Sequence, residues 1–275
     1  MKSKYISAVI FLLLQATITF AQGDLLVTPK RVLFNGNKQR ETLNLVNIGK
    51  DTAVYSITFV QKVMLEDGSF RNIEKADSGQ MFANPYLVIF PRKVTLAPGE
   101  AQAVMVQCRR KPDMAQGEYR SHLFFRAEKT KAPMGIPSSG KDTNRVSVQL
   151  QPIFGVSIPI IIHSGEVNVT TSISNIKLAG LEKKKPSVRF SLVRQGNISA
   201  YGDVTVEFTP NGGKTVTAGI VKSLAVYTTI NRRDIEVPLT LIDAVNLRKG
   251  ILSVKFTSPE GTKQVVFARN EITLN

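Results

Sequence analysis

The clearest pattern of hydrophobic and polar positions lies between Asn144 and His163, NRVSVQLQPIFGVSIPIIIH. One register of alternate positions is apolar throughout, apart from a proline at 152. Its members are Val146, Val148, Leu150, Phe154, Val156, Ile158, Ile160 and Ile162. Because successive side chains of a strand point to opposite faces, this period of two predicts one very long β-strand with a continuous apolar face.

The other face of this predicted strand differs between its two halves. In the first half the alternate positions are Ser147, Gln149 and Gln151, which are polar, whereas Ile153 and Ile161 are apolar positions in the second half. We therefore expect only the second half to be buried on both faces.

Pro152 lies in the middle of the pattern. Proline has no N–H to donate to a ladder and occurs in strands mainly at edges, first positions or bulges, so the first half is predicted to be an edge strand. An edge strand with an apolar row exposes unpaired backbone groups, and such an edge is well suited to bind a strand of another protein. Periodicity alone leaves an alternative open, a long core strand whose neighbours follow later in the fold.

The remaining chain is a succession of short period-two segments separated by turn residues, with no long stretch of helical period. The predicted strands before the long one are Leu25–Thr28, Arg31–Phe34, Thr42–Asn47, Ala53–Met64, Leu87–Phe90, Ala101–Gln107 and Tyr119–Ala127. The later ones are Val167–Ser174, Ser187–Val193, Asp203–Phe208, Thr215–Val226, Ile235–Leu239, Gly250–Thr257 and Lys263–Ala268. Two such series predict an all-β protein of two immunoglobulin-like β-sandwich domains, at residues 22–163 and 164–275.

The first residues indicate export. Lys2 and Lys4 precede an apolar run from Ile6 to Leu14, and a small-x-small site ends at Ala21, so residues 1–21 are predicted to be a cleaved signal peptide. No stretch reaches the roughly 18 uncharged apolar residues that a transmembrane helix needs. We expect an exported, soluble protein.

Charge and cysteine content restrict the function further. The formal net charge is +15, and +13 after loss of the two lysines of the signal peptide. This balance favours acidic partners, but the basic residues are scattered, which argues against nucleic acid as a partner. Cys108 is the only cysteine, so no internal disulfide forms, and a small buried hydrophobe is its expected role.

Several segments together resemble the periplasmic chaperones of the chaperone–usher pilus pathway, of the PapD-like kind. They are VTPKRVLFNG (27–36), YLVIFPRKVTLAPGEAQAVMV (86–106), GEYRSHLFFR (117–126) and the end of the long strand, SIP (157–159). The resemblance is specific in the first domain and extends to the second only by position and β character. It implies a boomerang arrangement of the two domains and the capture of pilus or fimbrial subunits in the periplasm by donor-strand complementation.

The resemblance also implies which residues bind the subunit. Val146, Val148 and Leu150 would supply apolar side chains to a subunit that lacks a strand of its own. Arg31 would bind the subunit's C-terminal carboxylate, for which a guanidinium offers a bidentate geometry that lysine lacks.

The chain departs from the family at a second basic residue of the cleft, which aligns near Phe154. No lysine or arginine occurs between Arg145 and His163. Three readings follow: Arg31 acts with backbone donors, another basic residue reaches the cleft, or the partner is bound otherwise. The subunit's identity, a role for an outer-membrane usher and the oligomeric state are left open.

Enzymatic chemistry has little support in the sequence. His122 and His163 have no cysteine or carboxylate at metal-ligand spacing, no nucleophile elbow is present, and no cofactor or small-molecule substrate is predicted. The alternative to a chaperone is a structural or adhesive two-domain envelope protein, because such sandwiches carry many functions. A bare apolar edge next to Arg31 favours the chaperone.

Overall fold

The protein is described by a computed structural model covering residues 24–128, 154–181, 186–240, 247 and 249–275. The predicted signal peptide and the predicted donor residues Val146, Val148 and Leu150 lie outside the described residues. Those assignments therefore stay predictions.

The first ten strands form one sandwich. They are β1 (Leu25–Thr28), β2 (Val32–Phe34), β3 (Arg40–Asn47), β4 (Ala53–Met64), β5 (Phe70–Ile73), β6 (Leu87–Phe90), β7 (Lys93–Leu96), β8 (Ala101–Cys108), β9 (Gly117–Ala127) and β10 (Gly155–Ser164), with one 3₁₀ turn at Asn84–Tyr86. One sheet has the order β1-β3-β8-β6, and the other has the order β2-β10-β9-β4-β5 with β7 beside β4.

The core of this sandwich follows directly from the alternation of its strands. Leu43 and Leu45 on β3, Val104 and Val106 on β8, and Phe125 on β9 are fully buried between the two sheets. Cys108 at the end of β8 is also buried, as predicted.

The remaining seven strands form a second sandwich. They are β11 (Val169–Ala179), β12 (Ser187–Gly196), β13 (Ala200–Pro210), β14 (Val216–Val226), β15 (Arg232–Pro238), β16 (Gly250–Thr257) and β17 (Val266–Leu274). The sheet orders are β11-β12-β15 and β14-β13-β16-β17. Val188, Val204 and Phe208 belong to a separate buried core. The prediction of an all-β fold with two immunoglobulin-like sandwiches is confirmed.

The described part of the long strand, β10, has two different environments. Over its whole length it pairs antiparallel with β9, whereas β2 pairs with it, in parallel, only at Ile160–Ile162. Ile160, Ile161 and Ile162 are fully buried, so the strand is buried on both faces near its end, as predicted. Phe154 and Gly155, at the start of the second half, are exposed, so the prediction is wrong there. Among the described residues, the segment 155–159 has a strand partner on one side only. We call its other side the open edge of β10.

Candidate binding cleft between the two domains

One face of β9 and β10 points to the second domain. Residues opposite each other in an antiparallel pair lie on the same face, and the pairs here include His163 with Glu118 and Ile161 with Arg120. Alternation places His122 on that face as well. Glu118, Arg120 and His122 are all buried, so this polar face is enclosed by the second domain.

A buried ion pair on β9 contacts the second domain. The Arg120 guanidinium donates to Glu118 Oε1 from Nε at 2.9 Å and from Nη2 at 2.6 Å. Ser199, next to β13 of the second domain, donates to the same carboxylate from its hydroxyl at 2.7 Å and from its backbone N–H at 2.9 Å. Burial alone would raise the pKa of Glu118, but the guanidinium and the Ser199 donors hold that pKa well below its usual range.

Aromatic contacts extend the interface. The Arg120 guanidinium carbon lies 3.5 Å from the centre of the Tyr227 ring, and the Tyr227 hydroxyl is 3.2 Å from His122 Nε2. Phe70 on β5 packs against Tyr227 with ring centroids 5.4 Å apart. Burial, together with the charges of Arg120 and Lys62, lowers the pKa of His122 to about 3. His122 is therefore neutral in the folded protein near neutral pH.

Arg31 lies at the mouth of the cleft and immediately precedes β2. Its guanidinium carbon is 3.8 Å from the centre of the Tyr201 ring, which belongs to the second domain. Burial lowers the pKa of Arg31 to about 10, and the nearby Arg120 charge contributes, although Glu118 partly offsets it. Among the described residues, no carboxylate forms an ion pair with Arg31, and the nearby Glu118 is paired with Arg120.

These surroundings make the Arg31 guanidinium suited to contact an anion. A half-buried cation whose charged form is disfavoured by burial and by a like charge is stabilised when an opposite charge arrives. A carboxylate accepts two parallel hydrogen bonds from a guanidinium and is therefore a well-matched ligand.

A cavity of about 820 Å³ opens beside Arg31. Arg31, Leu33 and His163 line it from the first domain, and the second domain supplies a mainly apolar wall. The wall includes Ala200, Tyr201, Phe256, Val266 and Phe267.

The open edge of β10 leads towards the same point. Ala127 N donates to Phe154 O at 3.1 Å, so position 154 directs its backbone groups to β9. Because backbone groups alternate along a strand, Gly155, Ser157 and Pro159 direct theirs to the opposite side. Pro159 has no N–H, but because it faces away from β9 the ladder with β9 loses no hydrogen bond there.

The open edge exists because the chain changes sheets just before β2. β1 belongs to the opposite sheet, where it pairs with β3, and the chain crosses between sheets over residues 29–31. β2 begins beside Ile160, which leaves the position next to 155–159 without a described strand. Arg31 directly precedes Val32, the partner of Ile160, and therefore lies at the Pro159 end of this vacant position.

The structure brings together some of the sequence-predicted site residues and separates others. Arg31 lies in the cleft as expected, whereas Phe154 is half exposed and lies six residues before Ile160, about 20 Å away along the strand. Arg120 is a basic residue in the cleft, but its guanidinium is committed to Glu118 and Ser199. Its donors are therefore used within the protein.

Sequence analysis missed the polar interface. The segment GEYRSHLFFR places Glu118, Arg120 and His122 at alternate positions of one strand. Three ionisable residues on one face of a strand that is apolar on the other would have indicated a polar contact surface. Ser199, Tyr201 and Tyr227 carried no comparable signal.

Comparison with known proteins gives structural matches only. No protein-family model and no curated relative matches the chain. The YadV chaperone aligns with a TM-score of 0.45 and 10% identity, over 92% of this chain and 100% of its own. The E. coli chaperone DraB aligns with a TM-score of 0.44 and 13% identity, over 91% of this chain and 96% of its own.

A third match is a complex of a chaperone with a tip subunit, from the archaic chaperone–usher Csu pili of Acinetobacter baumannii. Its TM-score is 0.43 with 13% identity, over 92% of this chain and 100% of that one. All three structures contain a chaperone, and the third comes from a chaperone–usher pilus system. Scores and identities of this size do not transfer a function, so the function proposed below rests on the cleft itself.

Two further observations concern chemistry and membranes. Within the described residues, no group of three histidine, cysteine or acidic side chains is placed to hold a metal ion. No helix in the described part of the chain is long and apolar enough to cross a bilayer.

Proposed function

We propose that this protein is a periplasmic, non-enzymatic chaperone that captures pilus or fimbrial subunits by adding a strand to the open edge of β10. The subunit's C-terminal carboxylate would bind Arg31. The observation that carries this proposal is the position of Arg31 at the end of the vacant strand position beside 155–159.

The direction of the added strand follows from charge. A strand that fills the vacant position can run parallel to β10, as β2 does, or antiparallel to it. A parallel strand ends with its carboxylate at Arg31, whereas an antiparallel strand begins there with its ammonium group. The Arg31 guanidinium attracts the first and repels the second, so the parallel direction is favoured.

The remaining parts of the proposal come from the sequence. Val146, Val148 and Leu150, which precede the described part of the strand, would fill the open groove of the subunit. Export by the predicted signal peptide would place the protein in the periplasm, where subunits and an outer-membrane usher would be its partners.

Peptide binding tests the carboxylate site. The probe is a synthetic peptide of about ten residues, a typical strand length, with alternating valine and threonine and an N-terminal lysine pair for solubility. It is made with a free C-terminal carboxylate and with a C-terminal amide. The free acid should bind more tightly to the mature protein, and Arg31→Ala should remove that preference.

The preference for the free acid over the amide should have the size of a charged hydrogen bond, about 1.5–3 kcal/mol, or about 10- to 150-fold in affinity. Lys30→Ala is the matched control, because it removes an exposed positive charge one residue away and should leave the preference intact. Equal binding of acid and amide to the unmodified protein would exclude Arg31 as the carboxylate site and would favour a structural or adhesive role.

A further inference from the structure

We propose that the cavity between the domains is a side-chain pocket that selects partners whose last residue is large and apolar. This inference rests on the proposed binding of a C-terminal carboxylate at Arg31. It adds a specificity that the carboxylate alone does not provide.

The composition of the cavity wall is the first support. Tyr201, which stacks on Arg31, is continuous with a wall that includes Phe256, Val266 and Phe267. Phe256 and Phe267 pack with ring centroids 5.6 Å apart. A carboxylate on Arg31 places the side chain of the same residue beside this wall, because both groups are attached to one Cα.

The exposure of the wall is the second support. Val266 and Phe267 are the first two residues of β17. Val266 is 59% exposed and Phe267 is 42% exposed. A large apolar side chain of a partner would remove this surface from water, which is favourable in proportion to the apolar area buried.

A bulge aims Phe267 into the cavity. In the pairing of β16 with β17, Phe256 lies opposite Ala268 and Thr257 lies opposite Val266, so Phe267 is the extra residue. A β-bulge re-aims a side chain that regular alternation would point to the other face. It therefore allows the neighbours Val266 and Phe267 to line the same cavity.

The size and position of the cavity favour a peptide over a lipid. Its volume of about 820 Å³ is larger than one side chain requires, so it has room for the terminal residue together with its backbone. The cavity adjoins Arg31, at the end of the open edge of β10. A peptide strand can pair with the backbone groups of that edge, whereas a hydrocarbon chain cannot.

The test uses four forms of the peptide described above, ending in phenylalanine or alanine, each as the free acid and as the amide. With the mature protein, the acid ending in phenylalanine should bind at least about tenfold more tightly than the acid ending in alanine. Phe267→Ser should reduce this ratio towards one while leaving the preference for acid over amide unchanged. Phe267→Leu should retain most of the preference for phenylalanine over alanine.

Phe90→Ser is the matched control. Phe90 is 70% exposed on β6, in the β1-β3-β8-β6 sheet of the first domain, and it does not line the cavity. Its replacement should leave the phenylalanine-to-alanine ratio and the acid-to-amide ratio unchanged. Circular dichroism and melting temperature of each variant establish that it is folded.

The outcomes separate the two proposals. A preference for the acid without a preference for phenylalanine would overturn the side-chain pocket and leave the carboxylate site standing. If the unmodified protein showed neither preference, both the side-chain pocket and the carboxylate site would be overturned. Saturable binding of palmitate that Phe267→Ser abolishes, with no discrimination among the peptides, would assign the cavity to a lipid instead.

Discussion

At the scale of single residues, His122 shows how the interface between the domains controls a side chain. It is buried on β9 next to Tyr227. The same burial, with Arg120 and Lys62 nearby, lowers its pKa from the ordinary value of 6.5 to about 3. This shift has a consequence for stability.

Stability should decrease as the pH falls from about 6.5 towards 3. In that range the unfolded chain protonates His122 while the folded protein does not, so protons favour unfolding, by up to about 1.4 kcal/mol per pH unit. Denaturant unfolding of the protein and of His122→Gln at pH 6 and pH 5 measures the effect. Over this interval the variant should lose less stability than the unmodified protein.

The chosen interval avoids the second acid-sensitive group. Glu118 has a lowered pKa, so its contribution is present above its ordinary value of 4.5 and is lost at lower pH. An identical loss of stability in both proteins between pH 6 and pH 5 would show that His122 is not held neutral by the interface.

The positions of single residues in the fold were predictable where a local motif determined them. Arg31 could be placed because it lies in PKRVLF, beside the start of a strand, and Cys108 because it ends an alternating strand. Tyr201 could not, since its role depends on a guanidinium 170 positions away in sequence.

At the scale of elements, the decisive feature is the difference between the two sides of β10. On one side β9 pairs along the whole strand, and on the other β2 pairs only at Ile160–Ile162. The backbone groups of Gly155 and Ser157 face the open edge. Those of Val156 and Ile158 face β9, and these two sets should respond differently to substitution.

Ser157→Pro should weaken capture of the peptide while leaving the fold intact. It removes an N–H that faces the open edge, and the loss of one backbone hydrogen bond, about 1 kcal/mol, corresponds to roughly fivefold weaker binding. Val156→Pro is the matched variant, because it removes an N–H from the ladder with β9 and should lower the melting temperature. If both variants lowered the melting temperature equally, the position beside 155–159 would be part of the protein's own sheet.

Most elements were predictable because turn residues and period-two patterns are local signals. The strands Ala53–Met64, Leu87–Phe90 and Gly250–Thr257 have the predicted bounds. Two short strands, Phe70–Ile73 and Lys93–Leu96, were missed. Phe70–Ile73 has no buried residue and owes its structure to pairing with β4, which local sequence does not encode.

At the scale of the whole molecule, the cleft depends on how the two sandwiches meet. Glu118 and Ser199, Arg120 and Tyr227, and the backbone contact from Asp234 N to Glu66 O at 3.0 Å fix one domain against the other. The interface therefore holds the cavity wall in place beside Arg31.

The sequence predicted two domains but could not predict this cleft. Periodicity identifies which residues of one strand share a face, but not which face of one sandwich meets the other. The cavity wall combines residues from β13, β16 and β17 with Arg31 and Leu33 of the first domain. Such a surface follows from the packing of domains rather than from a local pattern.

The central claim is that the long strand lends its edge and its apolar row to a partner. It is tested most directly by one double variant, Val148→Thr with Leu150→Asn, expressed in the native host. The melting temperature of the purified protein and the amount of subunit that co-purifies are measured together, with Gln149→Ala as the control on the other face.

Burial of each aliphatic side chain in the partner is worth about 1.5–3 kcal/mol, so two polar replacements should remove several kcal/mol from capture. We predict a melting temperature close to that of the unmodified protein, together with loss of the co-purifying subunit. A severe loss of stability in the double variant would show that Val148 and Leu150 belong to the protein's own core and would contradict the claim.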